Sequence, residues 1–236
     1  MTKAVACALL LLAAIALSGC GFDLEPAGPT EYSSQSVDIG KAESARVEIK
    51  IGVGELRVDG GSPKLMDADF TYNVPSGKPV VRNHSFGSRA ELSIEQPRDS
   101  EHFSHVRNQW DLRLNNQIPV DLLAHFGVGQ ASMNLGDLDL RSLDIHMGVG
   151  HVNLDLRGNP KHDYDVPIEG GVGQATVHLP RDAGIYAEAK GGVGSISVTG
   201  LEKVGGRWIN RARDRASAII HLDIRGGVGN IRLIAE

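Results

Sequence analysis

The sequence predicts an all-β protein, a β-solenoid of stacked coils of about 21 residues, each made of a strand, a Gly-Val-Gly corner and a second strand. Three observations predict it. Gly-Val-Gly occurs six times, at 52–54, 127–129, 148–150, 171–173, 192–194 and 227–229, and the last five copies are 21, 23, 21 and 35 residues apart. A period in this range marks an array in which each repeat stacks on the next. Apolar or small residues alternate with polar ones on both sides of every copy, and no segment after the first 19 residues sustains a helical period.

Three residues before the first glycine stand Ile49, Ala124, Ile145, Ile168, Ala189 and Ile224, and one residue before it Ile51, Phe126, Met147, Gly170, Gly191 and Gly226. This alternation describes a strand with one buried face. The central valines continue its parity and are expected inside. After the motif the inward positions slip by one, to Leu56, Ala131, Val152, Ala175, Ile196 and Ile231, then Val58, Met133, Leu154, Val177, Val198 and Leu233. A one-residue slip turns every side chain to the other face. The chain must therefore bulge or turn at the second glycine of each copy: Gly54, Gly129, Gly150, Gly173, Gly194 and Gly229. Glycine reaches positive φ there without a Cβ penalty. The first glycines, Gly52, Gly127, Gly148, Gly171, Gly192 and Gly227, complete the structural set. Coils stacked in chain order would lie about 4.8 Å apart.

The first 19 residues differ from the rest. Met1-Thr2-Lys3 is basic, Ala4 to Leu17 is apolar, and Leu17-Ser18-Gly19-Cys20 follows, the layout of a secretory signal peptide. The apolar run falls short of the roughly 20 residues a membrane-spanning helix needs. Leu-Ser-Gly-Cys resembles the lipobox of bacterial lipoproteins, which implies cleavage before Cys20 and acylation of its sulfur and new amine. Several acyl chains anchor stably where one is marginal. Gly21 replaces the familiar retention aspartate, favouring the outer membrane in a cell that has one. Cys7 leaves with the signal and Cys20 is modified, so the mature domain carries no disulfide and relies on its core. The chain divides into a signal (1–19), a Pro-, Gly- and Ser-bearing flexible tether (20–44) and the repeat domain (45–236).

Between the first two motifs there is room for about three coils without Gly-Val-Gly. Leu65 to Tyr72, Pro79 to His84, Ala90 to Gln96 and Trp110 to Leu114 read as strands there, and His102 to Asn108 as a loop. Near the C-terminus, Gly200 to Ser217 is an insertion. Twenty-four basic against 29 acidic side chains give a formal charge of −5, and aromatics make up 5%. With no large basic block, nucleic-acid binding is not expected.

Gly52-Val53-Gly54-Glu55-Leu56, Asp67-Ala68-Asp69-Phe70-Thr71-Tyr72-Asn73, Asn108-Gln109-Trp110-Asp111-Leu112 and the later Gly-Val-Gly units resemble the toast-rack family of bacterial cell-envelope domains. That family is similar to the sensor domains of some cell-wall stress regulators and to adhesin-like proteins. The resemblance implies a β-solenoid outside the cytoplasmic membrane and brings no catalytic residue with it. The chain lacks the multi-helix membrane segment of those regulators, which argues against direct signalling.

The candidate sites are few. Gly-Val-Gly does not lead into Lys-Ser/Thr and a helix, so no phosphate loop is expected. Ala175, Ile196 and Ile231 stand where a calcium-binding nonapeptide needs aspartate, which removes that site too. His125, His146 and Glu169 fall on one outward row, two residues before their motifs, and form a weak candidate metal set set against a solvated polar ladder in which Glu169 also faces Lys190. Asp137, Asp139, Asp144 and Asp155 invite comparison with a glycan-cleaving pair, but they alternate with inward aliphatics as solubilising charges do. In the insertion, Arg207, Arg211, Arg213 and Arg215 are a candidate contact for anionic groups, with Trp208 holding the loop to the last coil. No cofactor is expected. The reading is a non-enzymatic, lipid-anchored interaction or structural module of the cell envelope, held in the membrane through Cys20 and meeting envelope polymer or another envelope protein. The alternative is a glycan-active β-helix enzyme with a carboxylate pair in a groove.

Overall fold

A computed structural model describes residues 28–74, 77–97 and 107–236. In chain order its strands are β1 (Glu31–Val37), β2 (Ser44–Ser62), β3 (Met66–Tyr72), β4 (Val80–Phe86), β5 (Arg89–Glu95), β6 (Asn108–Asn115), β7 (Val120–Asn134), β8 (Leu140–Asp155), β9 (Tyr164–Leu179), β10 (Gly184–Thr199), β11 (Glu202–Val204), β12 (Arg207–Ile209) and β13 (Ile219–Ala235). A short 3-10 turn, Arg211–Asp214, lies between β12 and β13. The protein is all-β, and its strands join one open sheet.

Six long strands carry the motifs. Each runs up to Gly-Val-Gly as a first limb and leaves it as a second. Leu122, Leu143, Val166, Ile185 and Leu222 on the first limbs and Met133, Leu154, Val177 and Leu233 on the second are buried together in one core. Fully burying a side chain of this size contributes about 1.5–3 kcal/mol. The long strands pair in parallel with the motifs in register, Val53 beside Val128, then Val149, Val172, Val228 and Val193.

The corner lies where the parity slip places it. The second glycines all have φ between +143° and +150°, a region closed to residues with a Cβ. Stacking imposes a second demand. A Cβ on Gly129, Gly150 or Gly173 would stand 1.8 Å from the carbonyl oxygen of the glycine beneath it, and on Gly229 or Gly194 1.7 Å. The first glycines are confined by stacking alone: a Cβ on Gly127, Gly148 or Gly171 would meet the neighbouring carbonyl at 2.3, 2.4 or 2.5 Å. The Gly-Val-Gly copies are thus a spine of backbone on backbone.

Four expectations are corrected. The strands do not stack in chain order: β13 lies between β9 and β10, giving β2-β7-β8-β9-β13-β10. The central valines do not line the core; Val128, Val149, Val172 and Val228 are 47–50% exposed and Val193 68%, because the bend lifts its apex away from both inner faces. The segment from the first to the second motif does not form extra coils. Instead β4 and β5 make an antiparallel hairpin whose β5 edge pairs with the first limb of β2, while β1, β3 and β6 form an antiparallel ladder on its second limb. Residues 31–37, read as tether, form β1, tied to β3 through Ser34 and Ser36, whose hydroxyls donate to Asp69 and Asp67 at 2.6 Å. The strands read at Leu65 to Tyr72, Pro79 to His84, Ala90 to Gln96 and Trp110 to Leu114 correspond to β3, β4, β5 and β6 within two residues. The signal segment and Cys20 lie outside the described residues, as does most of the loop read at His102 to Asn108.

Candidate functional site

The outward row two residues before each motif now runs Lys50, His125, His146, Glu169, Arg225, Lys190. In-register parallel pairing brings His125 and His146 face to face, their rings 4.8 Å apart and 9° from parallel. His146 Nδ1 lies 3.5 Å from Glu169 and its Nε2 3.1 Å from Asp144. Glu169 then meets Arg225 at 3.9 Å, not Lys190, because β13 intervenes. Lys50 closes the row between Glu48 at 2.9 Å and Glu95 at 3.1 Å. Its hydrogen bond to Glu48 raises its pKa, and the same ammonium lowers that of Glu95.

This geometry does not make a metal site of His125, His146 and Glu169. Imidazole lone pairs lie in the ring plane, so two nearly parallel rings 4.8 Å apart aim past any common point. Among the described residues no group of three His, Cys, Asp or Glu converges as ligands would. Burial, and then the charge of His146, push the His125 pKa below its ordinary 6.5, against the smaller pull of Glu48 and Asp144. Below about pH 6.5 the unfolded chain therefore takes up a proton that folded His125 resists, and stability falls with pH until the folded pKa is passed. The urea midpoint is expected to drop between pH 7.5 and 5.5, and less steeply in His125→Gln.

The four carboxylates each meet a basic side chain or solvent. Asp139 takes Lys161 at 2.8 Å, Asp155 takes Arg157 at 2.6 Å, Asp144 takes His146, and Asp137 is exposed. The second limbs present a row of Gln130, His151 and Gln174 beside Ser132, Asn153 and Thr176, which together line a shallow concavity.

The insertion folds into the β11–β12 hairpin, whose β12 pairs with β10 at Tyr186 and Ala187. Trp208 packs against the core beside Ala187, with the Lys203 ammonium 4.7 Å over its ring. The four arginines do not form one cluster. Arg207 donates to Glu188, Arg211 to Glu202 at 3.2 Å and Arg213 to Asp214 at 3.1 Å, with its guanidinium 5.6 Å from the Tyr186 ring; Arg215 is exposed.

Two residues that no periodicity marks finish the spine at its β2 end. Gln96 Oε1 accepts from the backbone N–H groups of Gly52 at 2.9 Å and Val53 at 3.3 Å. Asn108 Nδ2 donates to the Val53 carbonyl at 2.8 Å and to Gln96 Oε1 at 3.0 Å. Both amides are buried. They supply the polar partners that another Gly-Val-Gly would otherwise provide.

The corner motif is thus stacked on itself across six strands and closed at one end by side-chain amides. Residues 26–178 match the family described as the N-terminal domain of toast_rack, DUF2154. The chain belongs to the toast-rack family. This toast-rack protein is similar to a candidate cell adhesion protein from Clostridium sporogenes, with 33% identity and a TM-score of 0.85, over 88% of this chain and 100% of that one. A candidate adhesin from Bacteroides fragilis aligns at 12% identity over 88% of this chain and 98% of that one, with a TM-score of 0.30. No curated protein matches the chain. No helix among the described residues is long and apolar enough to cross a membrane.

Proposed function

We propose that this toast-rack protein is a non-enzymatic interaction module of the bacterial cell envelope, a β-solenoid of stacked coils held to a membrane by acylated Cys20. The observation that carries the reading is the likeness to the candidate cell adhesion protein, which spans that protein's whole length. The geometry agrees with it. A backbone spine displays long polar rows, a form suited to broad contact with envelope polymer or another envelope protein. The carboxylates a glycan hydrolase would need are spread along the rows beside basic side chains, whereas a hydrolase sets two carboxyls about 5–9.5 Å apart across a cleft. With three of its arginines engaged by carboxylates, the insertion is the weaker contact surface and the rows the stronger.

Cys20→Ser tests the anchor. In membrane fractionation with palmitate labelling, the natural protein is expected in the membrane and labelled. The variant is expected to be unlabelled and released. A variant that still labels would overturn the anchor.

A further inference from the structure

The outward faces of the two limbs differ in chemistry. On the first limbs the row from Lys50 to Lys190 is mostly charged, and its groups are engaged in ion pairs. On the second limbs the concavity crosses five neighbouring strands, β6, β2, β7, β8 and β9, at strand steps of about 4.8 Å. Its middle carries no carboxylate, ammonium or guanidinium. Gln130, His151 and Gln174 form one row there and Ser132, Asn153 and Thr176 the next, each in register with its neighbours.

Among the described residues, none of these six side chains has a hydrogen-bond partner within the protein. The groups to either side are engaged. Gln109 donates to Glu55 at 2.9 Å and Arg57 to Asp111 at 2.8 Å at the β6–β2 end, and Ser195 donates to Asn230 at 2.8 Å beyond β9. Unused donors and acceptors are therefore gathered in the middle of the concavity.

Charge narrows what can lie there. Arg57 is held by Asp111, and Glu55 adds a further carboxylate, so a polyanion meets repulsion and no free guanidinium. Arg232, outward on β13 next to Thr176, stands outside the concavity. An extended peptide reads a sheet through edge N–H and C=O groups and side-chain pockets. This face offers side chains only, and Leu56, Ala131 and Val152 beneath it are buried, leaving no apolar pocket. Amides and hydroxyls, by contrast, both donate and accept, as vicinal sugar hydroxyls do. A pyranose ring in an extended chain advances by about one strand step, so successive rings can meet successive strands.

We propose that the concavity binds an uncharged, linear, β-linked glycan lying across the strands, one ring to each of β7, β8 and β9. The Gln130 row and the Ser132 row hydrogen-bond the hydroxyl or acetamido groups along its two rims. The site rests on the reading of this protein as an envelope interaction module and names the polymer it meets. Trp110, the one aromatic residue lining the concavity, is buried and offers no ring face for stacking. Single rings are therefore held weakly, and binding grows with the number of rings engaged together.

The test is calorimetric titration of the full chain in detergent with cello- and chito-oligosaccharides of two to six rings, and with hyaluronan hexasaccharide as a charged counterpart. An uncharged hexasaccharide is expected to bind at least about tenfold more tightly than its disaccharide. Raised salt is expected to leave that affinity unchanged, since no exposed charge carries it. Gln130→Ala, Asn153→Ala and Gln174→Ala combined are expected to lower it at least about tenfold, with circular dichroism and melting unchanged. Lys190→Ala, on the first limb, is expected to bind as the natural chain does. Failure of both uncharged hexasaccharides to bind, a triple variant that binds as well as the natural chain, or tighter binding of hyaluronan would each overturn the proposal. Co-sedimentation with isolated cell envelope separates it from the reading beneath it. Equal sedimentation of the natural chain and the triple variant overturns the glycan site and leaves the module; a natural chain that does not sediment overturns both.

Discussion

A Gly150→Val protein is expected to lose more than about 4 kcal/mol of stability, an exceptional cost for one substitution. Val149→Ala, one residue earlier, is expected to lose less than about 1 kcal/mol. The order reverses the usual one, in which trimming an apolar side chain harms more than adding one. Gly150 has a φ of +147°, and its Cβ would stand 1.8 Å from the Gly129 oxygen and 2.9 Å from the Gly129 carbonyl carbon. Relief requires β8 to move away from β7, and backbone pairing runs the whole length of both. Val149 is 47% exposed and gives up half-solvated methyl groups. Urea midpoints of the two variants decide the matter; a Gly150→Val protein no weaker than Val149→Ala would mean the corner does not bear the stack.

Trp110→Ala is expected to cost about 3–5 kcal/mol, as for other buried large aromatics. It is 1% exposed and meets Phe70 edge to face at 5.5 Å and 85°. The indole also orients Asn108: its Nε1 donates to Asn108 Oδ1 at 2.7 Å, which turns the Asn108 amide toward the Val53 carbonyl. Trp110→Phe keeps most of the packing and orphans a buried oxygen, at about 1–3 kcal/mol. A double-mutant cycle of Trp110→Phe with Asn108→Ala should then show coupling well above the additive level. Additive losses would mean that the two residues act separately.

The strands, the corner and the need for glycine at its second position were legible in the sequence because period and parity are local properties. The order of the stack was not. Each motif strand presents the same backbone and the same inward ladder, so β9 could accept β10 or β13 equally well, and only the tertiary arrangement shows that Glu169 meets Arg225. The valines misled because alternation assumes a straight strand, whereas a bend exposes its apex. Strand β1 escaped notice because Ser33, Ser34 and Ser36 are small and polar, and it is held by hydrogen bonds to Asp67 and Asp69 in place of an apolar face. Gln96 and Asn108 are solitary amides that no repeat marks. The resemblance through Asn108-Gln109-Trp110 touched one of them without revealing its task. The outward row was placed correctly from His125 to Glu169, although its histidines stack where convergence had been considered.

Because register is set by glycine against carbonyl, the fold places almost no demand on the letters written along its outer faces. Lysine, two histidines, glutamate, arginine and a second lysine occupy equivalent outward positions in the six copies, above an identical tripeptide. Heredity can therefore edit the display one site at a time without consulting the frame. Divergence in what such a molecule touches can outpace divergence in its shape, and two descendants could keep superimposable backbones while answering to unrelated surfaces.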